Sequence, residues 1–232
     1  NQIPSIKSFN SSNESLKELI NLQITEPLKE VDLIKTLKKL GSIKDEISKK
    51  VKSQYEENPY PRWKYGNLLI KNHITVSQSI NHEIKPNYIR HDSGESKLKV
   101  LVAGCGTGQH ILSAKRYSNA EITGIDLSLA SLSYAQRKIK ELAIHNVELI
   151  QMDILNVNLL EENFDIILCS GVLHHMDDPS KGLKRLLRVL KNNGFLKLGL
   201  YSELGRKDIV KARNYISSKK LKTNEVNIRS FR

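Results

Sequence analysis

Three glycines spaced by two, Gly104, Gly106 and Gly108, end the apolar run Val100–Ala103 and open a helix-like segment from Gln109. A buried run, a glycine turn and a helix start in that order predict a strand whose carboxyl end brings backbone N–H groups up to a ligand. Glycine suits such a turn because it tolerates positive φ and has no side chain to block the approach. The spacing is GxGxG, not the GxGxxG of dinucleotide binders, so it points away from a pyrophosphate.

The downstream sequence repeats the same grammar. Ala120–Ile125 reads as a second strand with Asp126 at its carboxyl end, 22 residues after Gly104. That is close to the spacing of about 20 expected for an acid that accepts hydrogen bonds from ribose hydroxyls. Ser128 is placed to cap a helix through Leu132, Ala135, Ile139 and Leu142. Val147–Gln151 is a third strand, followed by Asp153, a carboxylate suited to an exocyclic adenine amine. Phe164–Ser170 is a fourth, leading into Gly171-Val-Leu-His174-His175, and Gly194–Tyr201 is a fifth. Strands alternating with helices predict an α/β fold with a parallel sheet.

The ordered set GCGTG, GID, MDI and CSGVLHH resembles the class I S-adenosylmethionine-dependent methyltransferases, and within them the small-molecule branch that includes ubiquinone- and menaquinone-biosynthesis enzymes. The resemblance covers roughly Leu98 to Tyr201, and its specificity lies in four elements falling in order at the right strand ends. Tyr55-Glu-Glu-Asn-Pro-Tyr-Pro-Arg-Trp63 and Leu200–Asp208 are similar to segments of bacterial methyltransferases often fused to tetratricopeptide repeats. The resemblance implies a Rossmann-like sheet with helices on both faces, S-adenosylmethionine as cofactor and S-adenosylhomocysteine as product. It places the cofactor against Ala103, Gly104, Cys105, Gly106, Gly108, Asp126, Leu127, Asp153, Ile154, Ser170 and Gly171.

Methyl transfer from a sulfonium is an in-line displacement, so alignment is the enzyme's main task, with a base needed only where the acceptor sheds a proton. His174 and His175 follow the fourth strand, at the edge where α/β folds bind ligands, and imidazole titrates near neutrality. Either is a candidate base, with His174 slightly preferred; the alternative is that one only shapes its loop. Tyr60, Arg62 and Trp63, stiffened by Pro59 and Pro61, read as a lid or an acceptor-holding cluster, or equally as a packed surface loop. Tyr201 and Arg206 follow the fifth strand and are candidate acceptor contacts. No metal-ligand set is expected.

Several acceptors are argued down by missing motifs. The place of a (D/N)PP(Y/F) motif is taken by Ser170-Gly-Val-Leu, no Pro-Cys nucleophile is present, and paired glutamates after the fourth strand are absent. A small molecule is the default acceptor, with a protein side chain or a glycan next and methylation of a protein or nucleic acid as the alternative. A nicotinamide dehydrogenase and a catalytically idle interaction module are the readings from other classes.

The remainder divides by pattern. Residues 1–66 read as a helical extension ending in the Tyr/Pro/Arg/Trp segment, 67–97 as a connection, and 98–232 as the cofactor domain. Leu16, Leu19 and Ile20, then Leu33, Leu37 and Leu40, are spaced for two helices, separated by Pro27, the second closed by Gly41; a third spans Ser42 to about Tyr55. Leu68–Ile70 and Ile74–Ser77 read as short strands or loop. After Tyr201 a helix is expected over Lys207–Ile216, followed by an ambiguous polar stretch. No sixth or seventh strand can be placed, so the sheet is expected to lack its usual last strands, and an open edge favours self-association. Residues 181–232 carry 15 of 37 basic and 3 of 25 acidic residues, and so hold the whole net charge of +12. A solvated helix face explains that charge better than nucleic-acid binding, because no aromatics interleave it. Two cysteines, Cys105 and Cys169, both at strand ends, read as structural thiols of a cytoplasmic protein, and no apolar run is long enough to span a bilayer.

Overall fold

The computed structural model describes residues 12–66, 74–89, 97–117, 119–222 and 224–231. They form two compact units, divided after Gly199. The first begins with α1 (Glu14–Ile20), a single π turn (Asn21–Thr25) and α2 (Glu26–Ile34), followed by β1 (Lys38–Lys39), α3 (Glu46–Glu57) and α4 (Val76–Glu83). The alternating part follows: β2 (Leu98–Ala103), α5 (Gln109–Ala114), β3 (Ala120–Asp126), α6 (Leu129–Glu141), β4 (Val147–Gln151), a 3-10 turn (Ile154–Leu160) and β5 (Phe164–Ser170). A second 3-10 turn (Leu173–His175), α7 (Pro179–Arg188) and β6 (Leu190–Gly199) complete it.

The six strands form one sheet in the order β1-β4-β3-β2-β5-β6, and every pairing is parallel. The order reverses at β2, so the crevice beside its carboxyl end is the topological switch point where such sheets bind ligands. Strands buried on both faces need continuous apolar runs, and β2 supplies one. Val100 and Val102 pack on one face with Ile111, Leu112, Leu132 and Ala135. Leu101 and Ala103 pack on the other with Ile125, Ile150, Ile167 and Leu186. This is the Rossmann-like α/β sheet expected from the motif order.

The N-terminal region departs from its periodicity in two places. Pro27 does not separate two helices; it lies in the first turn of α2, and the chain runs through it from α1 by way of the π turn. There Glu26 donates its N–H to the Asn21 carbonyl, one residue further back than in an α-helix. Widening a turn in this way accommodates a proline that has no N–H and clashes with the preceding turn. The expected helix through Leu40 also stops at Ile34. Lys38 and Lys39 instead pair with Ile150 and Gln151, and Leu40 N–H donates to the Gln151 carbonyl at 3.0 Å. The leucine spacing is real, since Leu37 is buried in the core, but pairing with the edge of β4 outweighs helix continuation. The third helix starts later than expected, where Asp45 accepts from Ser48 N–H at 2.7 Å.

The extension is fastened to α6 by charge. Arg137 reaches Glu26, Glu30 and Glu141 at 2.9, 2.9 and 2.5 Å, with its side chain only 3% exposed. Ile74 makes one isolated parallel bridge to Tyr117, and Thr75 begins α4 with a capping box completed by Gln78. Leu68–Ile70 lie outside the described residues. The fifth strand of the sequence reading, Gly194–Tyr201, is β6: it starts earlier, at Leu190, and ends at Gly199, leaving Tyr201 outside it.

In the second unit a 3-10 turn (Leu204–Arg206) leads into α8 (Lys207–Ser218) and α9 (Glu225–Phe231), the latter arising from the stretch that read as ambiguous. Among the described residues no strand follows Gly199, and no helix is long and apolar enough to cross a membrane.

Candidate functional site

The three glycines of the turn after β2 take positive φ of 72°, 51° and 91°, and each does so in different surroundings. A Cβ on Gly104 would lie 2.3 Å from Val172 Cγ2, and one on Gly108 would lie 2.9 Å from Ala135 Cβ. These two positions let the turn close onto the loop after β5 and onto α6. A Cβ on Gly106 would meet nothing nearer than the Tyr60 carbonyl oxygen at 3.8 Å. Gly171, φ 76°, likewise faces open space. Two of these glycines therefore seal the turn, and two border a space at the carboxyl ends of β2 and β5.

Asp126 ties this turn to the next. Its Oδ2 accepts Gly106 N–H at 2.8 Å and its Oδ1 accepts Ser128 N–H at 2.9 Å. Gly104 and Cys105 both donate to the Ile125 carbonyl, at 2.8 and 3.0 Å. Burial pushes the Asp126 carboxyl upward from its ordinary value, the two N–H groups oppose that shift, and the negative charge of Glu56 adds to it. A carboxylate has about four lone-pair positions, so two backbone donors leave room for two more. Leu127 follows, its carbonyl accepting from Gln151 Nε2 at 2.9 Å. Asp153 is buried and caps the 3-10 turn that begins at Ile154, accepting from Leu155 N–H at 2.9 Å.

Beyond β5, His174 and His175 stand side by side with ring centroids 4.4 Å apart. The ring nitrogens of His174 are buried, whereas His175 is exposed. Cys105 and Cys169 are free and buried, and burial raises both thiols, that of Cys169 to about 12. Neither has the lowered pKa of a nucleophile.

The Tyr/Pro/Arg/Trp segment is built into the glycine turn. Thr107 Oγ1 donates to the Pro61 carbonyl at 2.6 Å, and Trp63 Nε1 donates to the Thr107 carbonyl at 3.0 Å. Tyr134 donates its hydroxyl to the Trp63 carbonyl. Arg62 packs back against the protein. Its guanidinium pairs with Glu30 at 3.0 Å and lies 4.5 Å from the Tyr134 ring centre, so its charge is already answered within the protein. Tyr60 is exposed, with its backbone against Gly106. Tyr201 and Arg206 stack on each other at 3.8 Å within the second unit.

The structure thus brings the glycine turn, Asp126, Leu127, Asp153, Ile154, Ser170, Gly171 and the two histidines to the carboxyl ends of β2 to β5, with Tyr60 and Trp63 beside the turn. Residues 94–227 match the model of a methyltransferase domain family. The chain belongs to that family. Among curated relatives, an uncharacterized protein of Synechococcus is 38% identical over 113 residues, covering 48% of this chain and 27% of that protein. A ubiquinone biosynthesis O-methyltransferase of Pseudomonas fluorescens is 36% identical over 118 residues, covering 49% and 50%. The chain therefore spans about half, or less, of the length of these relatives. Among solved structures, PKMT2 from Rickettsia typhi in complex with AdoHcy is similar at 25% identity and TM-score 0.48, covering 58% of this chain and 27% of that one.

Two residues that the sequence did not single out hold the turns, Thr107 inside the family match and Glu56 ahead of it. Thr107 carries the bond to Pro61. Glu56 accepts from Leu129 N–H at 3.0 Å and Ala130 N–H at 2.9 Å, the first two residues of α6. The sequence offers Glu56 and Glu57 as equivalent neighbours, and only the direction of α3 tells them apart.

Proposed function

We propose that this domain transfers a methyl group from S-adenosylmethionine to a small-molecule acceptor, leaving S-adenosylhomocysteine. The observation that carries the reading is the Asp126–Gly106 hydrogen bond beside open space. It couples the acid that ends β3 to the one glycine of the turn where an added Cβ would meet no protein atom nearer than 3.8 Å. The donor set fits the cofactor's adenosine part. Asp126 would accept from the ribose hydroxyls, Asp153 from the adenine amine, and the turn over Gly104–Gly108 would lie against the amino-acid part. Ala103, Cys105, Leu127, Ile154, Ser170 and Gly171 would form its walls.

When bound, S-adenosylmethionine supplies a methyl group already activated on sulfur. The chain's task is then to hold the acceptor in line and to take a proton where the acceptor has one to lose. Burial separates the two histidines. His175 is open and can pass a proton on to solvent, so it takes the base role in preference to His174, whose buried ring shapes the loop. Arg62 and Trp63 act through the fold rather than on the acceptor, and Tyr60 is the member of that segment placed to meet it. Tyr201 and Arg206 remain acceptor candidates on their place in the sequence after the fifth strand alone. The ubiquinone-pathway relative supports a hydroxyl-bearing acceptor. The edge of β6, which pairs only with β5 among the described residues, supports self-association, and the two buried free thiols fit a cytoplasmic setting.

Isothermal titration with S-adenosylhomocysteine, with NAD as control, tests the reading. Micromolar binding of the first and none of the second is expected. Binding of neither, or of NAD alone, overturns it.

A further inference from the structure

The start of α6 is unusual in how fully its donors are used. The opening N–H groups of a helix lack partners within it and form a natural anion site, strengthened by the helix dipole. Here Ser128 N–H goes to Asp126, Leu129 and Ala130 N–H go to Glu56, and Ser131 N–H goes to Ser128 Oγ at 3.0 Å. Ser128 Oγ in turn donates to the Tyr55 carbonyl at 3.0 Å, which fixes the end of α3 against this turn. Two of the four donors are therefore taken by a carboxylate from an element 73 and 74 residues away in the chain.

We propose that Glu56 is a specificity-determining residue of the nucleotide site, a built-in anion that excludes adenosine nucleotides phosphorylated on the ribose. The inference rests on the methyltransferase reading, in which Asp126 accepts from the ribose hydroxyls. A phosphate on the 2′ oxygen would add a charge of about −1.5 to −2 there. In α/β dinucleotide folds that phosphate is received by an arginine close to the acid after the second strand. Here the same neighbourhood holds a second carboxylate, whose charge is felt at Asp126. The two N–H groups that would otherwise attract the phosphate are already bonded to it. Ribose hydroxyls, which donate, are welcome beside two carboxylates; a phosphate, which brings a negative charge of its own, is not.

The test compares three ligands on the whole chain: S-adenosylhomocysteine, adenosine and adenosine 2′-monophosphate. Glu56→Ala uncovers the two N–H groups. Glu56→Gln keeps the side chain's shape and removes its charge, which guards against a failure to fold. Glu162→Gln, two residues ahead of β5 where the side chain pairs with Lys99 at 3.4 Å, controls for net charge. The wild-type protein and Glu162→Gln are expected to prefer adenosine over its 2′-phosphate at least tenfold. In Glu56→Ala and Glu56→Gln that preference is expected to shrink at least tenfold. If the wild type binds S-adenosylhomocysteine but the Glu56 variants keep its discrimination, Glu56 is a helix tether only and the inference falls. Equal binding of adenosine and its 2′-phosphate by the wild type overturns it as well. If the wild type binds no S-adenosylhomocysteine, the cofactor reading itself fails and this inference with it.

Discussion

At the scale of single residues, similar glycines separate into those closed in by packing and those that face open space. Gly104→Ala drives a methyl into Val172, so it is expected to lower the unfolding free energy in urea titration. Gly106→Ala meets open space and costs only the left-handed backbone, about 1–2 kcal/mol. Its expected signature is a folded protein whose affinity for S-adenosylhomocysteine falls at least about tenfold, or about 1.4 kcal/mol. Unchanged affinity would mean that nothing approaches that turn. Under the proposed reading Asp126→Ala removes charge-assisted bonds to the ribose, and it is expected to weaken the same ligand by about 2–4 kcal/mol in calorimetry. His175→Ala is expected to spare that affinity and, with an acceptor in hand, to lower turnover. A variant of normal turnover would remove His175 from the chemistry. These backbone and acid positions are legible in sequence because glycine and a strand-end carboxylate have few other reasons to recur at this spacing. Glu56 and Thr107 are not, since an acid among acids and a threonine in a turn have many.

At the scale of elements, the extension and α6 are joined by Arg137, whose neighbours Glu26 and Glu30 are largely buried with it. Removing the arginine strands Glu26 without a counter-charge, while Glu30 keeps Arg62. The expected loss for Arg137→Ala is about 3 kcal/mol in urea unfolding, since breaking a buried pair on one side is costly. Arg62→Ala, on a more exposed side chain, is expected to cost less than half of that, and equal losses would refute this division of roles. The strands β2 to β5 were readable because each is a short stretch rich in β-branched and other apolar residues, with turn residues close behind it. β1 was not: it is two lysines, and nothing in Lys38-Lys39 signals a strand until β4 offers its edge. The same hidden pairing explains why Leu37 and Leu40 kept a helical spacing without being helical. The π turn ahead of Pro27 was equally invisible, because a proline by itself cannot distinguish a broken helix from a widened one.

At the scale of the whole molecule, the buried thiols couple folding to alkaline pH. The folded Cys169 thiol holds its proton to about 12, against 9.0 for an ordinary thiol. Between those values the unfolded chain ionises first, so stability fully present below pH 9 is lost as the pH rises toward 12. The slope for one such group is about 1.4 kcal/mol per pH unit, and Cys105 acts in the same direction. Cys169→Ala is expected to show a shallower fall of unfolding free energy between pH 9 and 11, and an unaltered slope would place the alkaline loss elsewhere. The interleaving of the Tyr55–Trp63 segment with the turns after β2 and β3 also bears on how this domain can be cut and recombined. A chimaera that begins where the family match begins would inherit every glycine of the turn. It would leave behind Glu56, Pro61 and Trp63, and with them the partners of α6 and Thr107. Exchange of the sheet between homologues should therefore succeed only when the junction is placed ahead of α3, so that the recombining unit is longer than the motif suggests.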